Sequence, residues 1–207
     1  MIKVISVFRR RGGMSVEDFQ AYWLEVHAPI VKKLPGVCGY IQNHTLASGY
    51  KKRNPAVDGV AELSFTNTDA LRAIAGSKEL LATKNDHANF IDSSSYKEIV
   101  TEDEVIKDGT IPENGVKNIE LVVRKRGMAP DAFHQYWIKT HGPLGGSIPQ
   151  VHRYVQCHTR AVAYRDSENL PPLDGLALTW FENTQSMRDA ASPGNHPAFT
   201  PRGDRPC

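Results

Sequence analysis

Two pairs of histidines occupy matching positions in the chain, and histidine is the side chain that gains and loses a proton most readily near neutral pH. His27 and His141 each lie four residues after a tryptophan and two residues before a proline. This spacing places both on the apolar face of a predicted helix, near its end. Two interpretations remain open: the ring binds the last carbonyl groups of its helix, or it enters a cleft as a general acid or base.

His44 and His158 belong to predicted strands in which the same face also carries a tyrosine and a glutamine. Tyr40 and Gln42 precede His44, and Tyr154 begins the same pattern before His158. Such a face either contacts solvent or lines a polar pocket. In a pocket, tyrosine and histidine together can move a proton and polarise a carbonyl group or a phenol.

Glu62 is an acidic residue inside an otherwise apolar predicted strand, and Leu178 is its counterpart later in the chain. If Glu62 shares the sheet face of His44, burial beside an imidazole perturbs its pKa, as in many catalytic sites. The alternative is a carboxylate that faces solvent.

Other polar residues favour structural roles. Asp58 and Asp174 each precede a glycine and are expected in turns. Three residues near the end of a later predicted helix are expected to cap it: Asp86, His87 and Asp92. The basic turns that follow the first strand of each copy, at 9–11 and 124–126, are expected to be solvated.

The chain contains an internal repeat. At a shift of 114 residues, 13 of the 33 positions from 13 to 45 are identical, where chance gives about two. A period of this length corresponds to a small domain and predicts a tandem duplication. We expect a first domain at 1–105, a linker at 106–115 and a second domain at 116–207. The second domain is expected to be degenerate or truncated at its C-terminal end, since no counterpart of the last strand follows.

Each copy is predicted to be an α+β unit with the ferredoxin-like order β-α-β-β-α-β. The helix after the first strand is expected to begin after Ser15 and to end at Pro29 and Pro35. The other elements predicted for the first copy are strands at 2–9, 37–46, 59–65 and 96–101, and a second helix from Ser77 to Phe90.

Composition excludes several classes of protein. The 207 residues include 25 Lys and Arg against 23 Asp and Glu, a formal charge of +2, which is not the basic footprint of a nucleic-acid-binding protein. No apolar run approaches the roughly 18 residues that cross a membrane. The three cysteines have no short spacing, which favours a reducing, cytoplasmic location and no metal site.

The motif Phe-x-x-Tyr-Trp-x-x-x-His-x-Pro occurs twice, from Phe19 and from Phe133. In the first copy, three further motifs follow: Tyr40-x-Gln42-Asn43-His44, Asp58-Gly59-Val60-Ala61-Glu62 and Asp86-x-x-x-Phe90-Ile91-Asp92. Together these residues resemble the EthD domain family, over about 2–105 and about 116–199. The resemblance implies that the tandem ferredoxin-like units form a dimeric α+β barrel within one chain.

The same resemblance implies an enzyme without a cofactor that acts on a small apolar, aromatic or lactone-like molecule by acid-base chemistry, as a lyase, decarboxylase, cyclase or isomerase. The residues expected to be catalytic are His27, His44, Tyr40 and Glu62. Those expected to contact the substrate are Trp23, Phe65, His141, Tyr154 and His158. The alternatives are an oxygen- or haem-using oxidoreductase of the same superfamily and a non-catalytic carrier of a hydrophobic ligand. Pairing of two tandem chains as a homodimer is a further expectation.

Overall fold

A computed structural model describes residues 1–51 and 54–192. The chain divides into two compact units, Met1–Glu102 (unit 1) and Asp103–Cys207 (unit 2). Each unit has the predicted α+β character, and the tandem arrangement matches the sequence repeat. That the two units join into one barrel stays a prediction.

Unit 1 contains an antiparallel sheet of four strands in the spatial order β2-β3-β1-β4. The strands are β1 (Ile2–Phe8), β2 (Val37–His44), β3 (Gly59–Phe65) and β4 (Lys97–Lys107). In the two central pairs, Ile5 lies opposite Glu62 of β3 and Ile99 of β4. The chain order β-α-β-β-α-β and this strand order together confirm the ferredoxin-like prediction.

The first helical region of unit 1 does not end at Pro29, contrary to the prediction. It consists of α1 (Val16–Tyr22), a π-helical turn (Trp23–His27) and α2 (Ala28–Val31). Ser15 caps α1 by accepting a hydrogen bond from the backbone N–H of Asp18. Proline lacks an N–H and its ring collides with the carbonyl four residues earlier. The wider turn, in which the Ala28 N–H donates to the Trp23 carbonyl, lets the helix continue past Pro29.

Two further helices, α3 (Thr68–Ala73) and α4 (Lys78–Phe90), complete unit 1. Asn67 caps α3 and Ser77 caps α4, each through its side-chain oxygen. The main aromatic core between sheet and helices consists of Phe8, Phe19, Trp23, Ala61, Phe90 and Ile91. Edge-to-face contacts among these rings, such as Phe8 with Trp23 at 5.0 Å between centroids, stabilise the core beyond simple burial.

Unit 2 repeats the pattern over its described residues. Its elements are β5 (Val116–Val122), α5 (Pro130–Tyr136), a π-helical turn (Trp137–His141), α6 (Gly142–Gly146), β6 (Arg153–Thr159), β7 (Gly175–Phe181) and α7 (Thr184–Ala190). β7 pairs antiparallel with both β5 and β6. Pro143 lies two residues beyond the π turn, as Pro29 does in unit 1, so the same steric cause recurs.

One predicted boundary differs from the structure, and one prediction falls on residues that the structure does not describe. The strand predicted at 96–101 extends as β4 to Lys107 and so includes residues 106 and 107, which were predicted to begin the linker. The β-branched residues Val105 and Ile106 favour extended backbone in this segment. The predicted degeneration of the second copy falls on residues 193–207, which lie outside the described residues. Among the helices of the described residues, none combines the length and apolar character required to cross a membrane.

Asp58 and Asp174 are more than turn residues. Asp58 is buried and accepts hydrogen bonds from the Arg10 backbone N–H, the Arg10 guanidinium and the Tyr50 hydroxyl. Asp174 has the same partners in unit 2, Arg124 and Tyr164. The basic turns are therefore not simply solvated, since one arginine of each is fixed by a buried carboxylate.

Gly59 directly follows Asp58 and leaves room for the indole of Trp23. A Cβ atom at position 59 would lie 2.6 Å from Trp23 Cζ3, and one at Gly175 would lie 2.7 Å from the same atom of Trp137. Contacts this short force the ring or the strand to move. The glycine is thus required by a close approach to the tryptophan.

We expect Gly59→Ala to lower the free energy of unfolding of unit 1 by about 1–3 kcal/mol, because it overpacks the Trp23 site. Thermal or urea unfolding followed by tryptophan fluorescence measures the change. Gly12→Ala is the matched control, since a Cβ at Gly12 meets no atom within 4 Å. Equal stability of the two variants would contradict the packing argument.

Candidate functional site

Unit 1 encloses a cavity of about 230 Å³ between the helix-facing side of the sheet and its helices. Most of the wall is apolar: Val4, Phe8, Val31, Leu34, Ala61, Leu63 and Phe65 are among the lining residues. Four polar rings, those of His27, Tyr40, His87 and Tyr96, also line it. A concave apolar space with a few convergent polar groups is the usual form of a small-molecule site.

His27 lies at the end of the π turn and is 4% exposed. Its Nδ1 atom is 2.7 Å from Asp86 Oδ2, on α4. The ring packs against Phe90 at 4.7 Å between centroids. Burial lowers the pKa of His27 below its ordinary value, and the Asp86 carboxylate offsets only part of this effect. His27 is therefore neutral near pH 7, with its orientation set by Asp86.

The sequence predicted that Asp86 caps its helix. Instead, its carboxylate accepts hydrogen bonds from three side chains. Besides His27, its Oδ1 atom accepts hydrogen bonds from the Tyr22 hydroxyl at 2.8 Å and the Asn89 amide at 2.9 Å. Burial by itself raises the pKa of Asp86, but the hydrogen bonds from Asn89, His27 and Tyr22 outweigh it and hold the pKa below its ordinary value. Asp86 is thus ionised and accepts the Nδ1 proton of His27.

That arrangement leaves the Nε2 lone pair of His27 free. Within the part of the chain that the structure describes, no side chain hydrogen-bonds this nitrogen, and the ring lines the cavity. A histidine held by a carboxylate on one nitrogen and open on the other is the usual arrangement of a general base.

Tyr40 lines the same cavity. Its hydroxyl oxygen accepts hydrogen bonds from Trp23 Nε1 at 2.9 Å and from Gln42 Nε2 at 3.0 Å. Because both partners are donors, the Tyr40 proton is available to a ligand. Burial raises the pKa of Tyr40, although the bonds from Gln42 and Trp23 oppose the shift, so the hydroxyl keeps its proton near neutral pH.

His44 does not line the cavity, contrary to its predicted catalytic role. Its Nε2 atom bonds the Gln42 Oε1 atom at 3.1 Å, and its ring packs against Trp23 at 4.5 Å between centroids. Gln42 in turn donates to the Trp23 carbonyl at 2.8 Å and to Tyr40. His44 therefore orients the network that positions Trp23 and Tyr40.

Glu62 lies on the opposite face of the sheet from His44, because strand residues alternate and Ala61, not Glu62, lines the cavity. It is 1% exposed and bonds the Lys3 ammonium at 3.1 Å and the Asn43 amide at 3.0 Å. Glu62 is thus buried, as the catalytic interpretation required. However, it bonds Lys3 and Asn43 on the face of the sheet opposite to the His44 imidazole.

His87 is a cavity residue that the sequence assigned to capping. Its ring lies 5.3 Å from that of His27 and 5.1 Å from that of Tyr96, measured between centroids. Burial, reinforced by the neighbouring His27, lowers the pKa of His87 to about 4. Tyr96 also lines the cavity, but its hydroxyl is occupied by Ser6 at 2.9 Å and Glu98 at 2.6 Å.

Unit 2 preserves the strand network of unit 1 over its described residues. Tyr154 accepts from Trp137 Nε1 at 3.3 Å and from Gln156 Nε2 at 2.9 Å, and His158 bonds Gln156 at 2.9 Å. Burial, followed by the neighbouring His134, lowers the pKa of His158 to about 4. Tyr154 and His158 are therefore buried members of a packing network.

His141, the counterpart of His27, is exposed. The residues that align with Asp86 and His87 fall at 195 and 196, outside the described residues. The predicted contacts of His141 with a substrate thus have no support among the residues that the structure describes. Trp23 and Phe65, in contrast, line the cavity of unit 1, and their contact with a substrate stays a prediction.

Sequence reasoning missed His87 and Tyr96 as cavity residues and Asp86 as the partner of His27. Asp86 belongs to one of the motifs on which the family resemblance rests, and that motif was the signal in the sequence that could have identified it. The pairing of α4 with the end of the first helical region joins residues 59 positions apart, and helix periodicity does not reveal such contacts.

The cavity does not fit haem, one of the cofactors considered for the superfamily. An apolar cavity of about 150 Å³ binds benzene, so about 230 Å³ accommodates one or two fused rings and not a macrocycle of four pyrroles. Among the described residues, no group of three or more His, Cys, Asp or Glu side chains has the arrangement of a metal site.

Known proteins resemble the chain in fold and in family motif. A putative monooxygenase from Fusobacterium nucleatum is 11% identical, with a TM-score of 0.54, and the alignment covers 93% of this chain and 81% of that one. An EthD family protein from Bacillus halodurans is 18% identical, with a TM-score of 0.42, over 49% of this chain and 97% of the other. An EthD-like protein from Ralstonia eutropha is 20% identical, with a TM-score of 0.40, over 49% and 89%.

At these identities the structural likeness concerns the fold alone. None of the curated proteins matches the chain. The EthD domain model matches two segments, residues 11–94 and 125–201, which together make up most of the sequence. The chain therefore belongs to the EthD domain family and contains the domain twice.

Proposed function

We propose that unit 1 is an acid-base enzyme that removes a proton from a small, uncharged, aromatic or lactone-like molecule bound in its cavity. The observation that carries the proposal is the His27–Asp86 pair, with the Nε2 atom of His27 open to an apolar space. Isomerases, cyclases and lyases that act on carbonyl compounds share this first step.

His27 has the protonation state that a base needs. Because burial keeps its pKa below the ordinary value, the ring is neutral at physiological pH and ready to accept a proton on Nε2. The cation that then forms is stabilised by the ionised Asp86 at 2.7 Å. Because Asp86 already holds Nδ1, this ion pair develops without movement of either side chain, which lowers the barrier.

Tyr40 supplies the complementary group. Its hydroxyl proton can bond a substrate oxygen that gains negative charge as the proton leaves. Two donors, Trp23 Nε1 and Gln42 Nε2, hold the phenol oxygen in place. A fixed donor of this kind requires little reorganisation during the reaction.

Substitution of His27 by Gln is expected to reduce turnover by about 10²–10⁴-fold. Glutamine has no basic nitrogen, yet its amide can still donate to Asp86, so the fold should survive. A suitable probe is 2-tetralone, a bicyclic ketone with acidic C–H groups, whose proton exchange in D₂O is followed by NMR. His141→Gln, at the exposed equivalent position of unit 2, should retain the wild-type rate.

Other outcomes of the same assay would decide between functions. If wild type binds 2-tetralone but does not accelerate exchange, the site is that of a carrier. If turnover of a phenolic probe consumes dioxygen, the oxidoreductase alternative replaces the proposal. Full activity in His27→Gln would remove His27 as the base.

The pH dependence follows from the sign of the His27 shift. A base works in its neutral form, so the rate should fall with acid as the pH passes the lowered pKa of His27, and its half-maximal value should lie below pH 6.5. Asp86 raises that pKa, so Asp86→Asn should move the acid limb to lower pH and also reduce the plateau, since the ring loses its fixed tautomer. An acid limb that stays in place would show that another group titrates.

A further inference from the structure

His87 has no assigned role in the proton transfer, although it lies beside the base. Its ring lines the cavity, and its centroid is 5.3 Å from that of His27. Among the described residues, no side chain or backbone group hydrogen-bonds either ring nitrogen of His87. The ring is held by contacts instead, with Tyr96 at 5.1 Å and Phe90 at 6.3 Å between centroids.

The hydrogen-bonding roles of the two imidazoles differ. His27 donates Nδ1–H to Asp86, so its open Nε2 atom can only accept. His87 is neutral, since burial and the neighbouring His27 lower its pKa to about 4, and it offers one N–H donor and one acceptor. A ligand atom next to both rings therefore meets an acceptor on one side and a donor on the other.

A hydroxyl group satisfies both rings at once. Its hydrogen can point to His27 Nε2 while its oxygen accepts the N–H of His87. A carbonyl oxygen has no hydrogen to donate to His27. A carboxylate brings a full charge, and the charged side chains among the described lining residues, Lys84 and Glu98, are both exposed.

We propose, resting on the proposed function, that the substrate carries a phenolic or enolic hydroxyl that lies between His27 and His87, and that His87 is the residue that recognises it. The O–H bond breaks and its proton passes to His27 Nε2. The electron pair stays on the oxygen as a phenolate or enolate. The N–H of His87 bonds this oxyanion, and Asp86 balances the new charge on His27.

Binding of matched ligands to the full chain tests the assignment apart from turnover. The probes are 1-naphthol and 2-naphthol against 1-methylnaphthalene and 2-methylnaphthalene, in which a methyl group replaces the hydroxyl at nearly constant size. Affinity is measured by calorimetry or by quenching of tryptophan fluorescence. We expect wild type to prefer at least one naphthol over its methyl analogue by roughly two- to tenfold, the range of one net hydrogen bond.

His87→Phe should lose this preference while it keeps the affinity for the methylnaphthalene, because phenylalanine preserves the ring contacts with Tyr96 and Phe90. His87→Gln, which restores an N–H donor, should recover part of it. His141→Phe, at the exposed equivalent position of unit 2, should keep the preference, since it lies outside the cavity of unit 1.

Three outcomes would overturn the inference. The preference could survive in His87→Phe, it could be lost equally in His141→Phe, or 1-naphthoate could bind more tightly than either naphthol. The proposed function fails in a different way, when none of the aromatic probes binds or when 2-tetralone exchange is unaffected by His27→Gln.

Discussion

The packing of Trp23 is the constraint on which the site of unit 1 depends. Its ring occupies the space left by Gly59, its Nε1–H holds Tyr40, and its carbonyl oxygen accepts both the π-turn N–H of Ala28 and the Gln42 amide. One residue thus couples the first helical region to the sheet at three points. Because interiors are close-packed, a shift of the indole would move both Tyr40 and the π turn that ends at His27.

The second requirement is the pairing of a carboxylate with a histidine away from water. A buried charge is unfavourable unless it has several hydrogen-bond partners. Asp86 has three, from Tyr22, His27 and Asn89. These bonds keep Asp86 ionised while burial keeps His27 neutral, so the pair holds one proton in a defined place. The same groups that stabilise the contact between α4 and the first helical region therefore prepare His27 for proton transfer.

Comparison of the two units separates what supports the fold from what supports the chemistry. Both retain the buried aspartate that binds an arginine, the tryptophan with its π turn, and the Tyr-Gln-His network on the second strand. They differ at the histidine that ends the π turn, which is buried against Asp86 in unit 1 and exposed at His141 in unit 2. The shared residues thus stabilise the contact between helix and sheet in each unit, whereas the buried His27–Asp86 pair belongs to the cavity of unit 1.

The sequence by itself determined the duplication, the α+β class, the order of elements along the first copy and the helix cap at Ser15, because these depend on local periodicity and on side chains that bond their own neighbours. It also singled out His27 and Tyr40, which both line the cavity, through their position on a face. Tertiary structure decided the rest. Whether Glu62 and His44 meet depends on which face of the sheet each occupies, and the partner of His27 depends on how α4 packs 59 residues later. Such contacts arise from the packing of distant elements, which no spacing along the chain encodes.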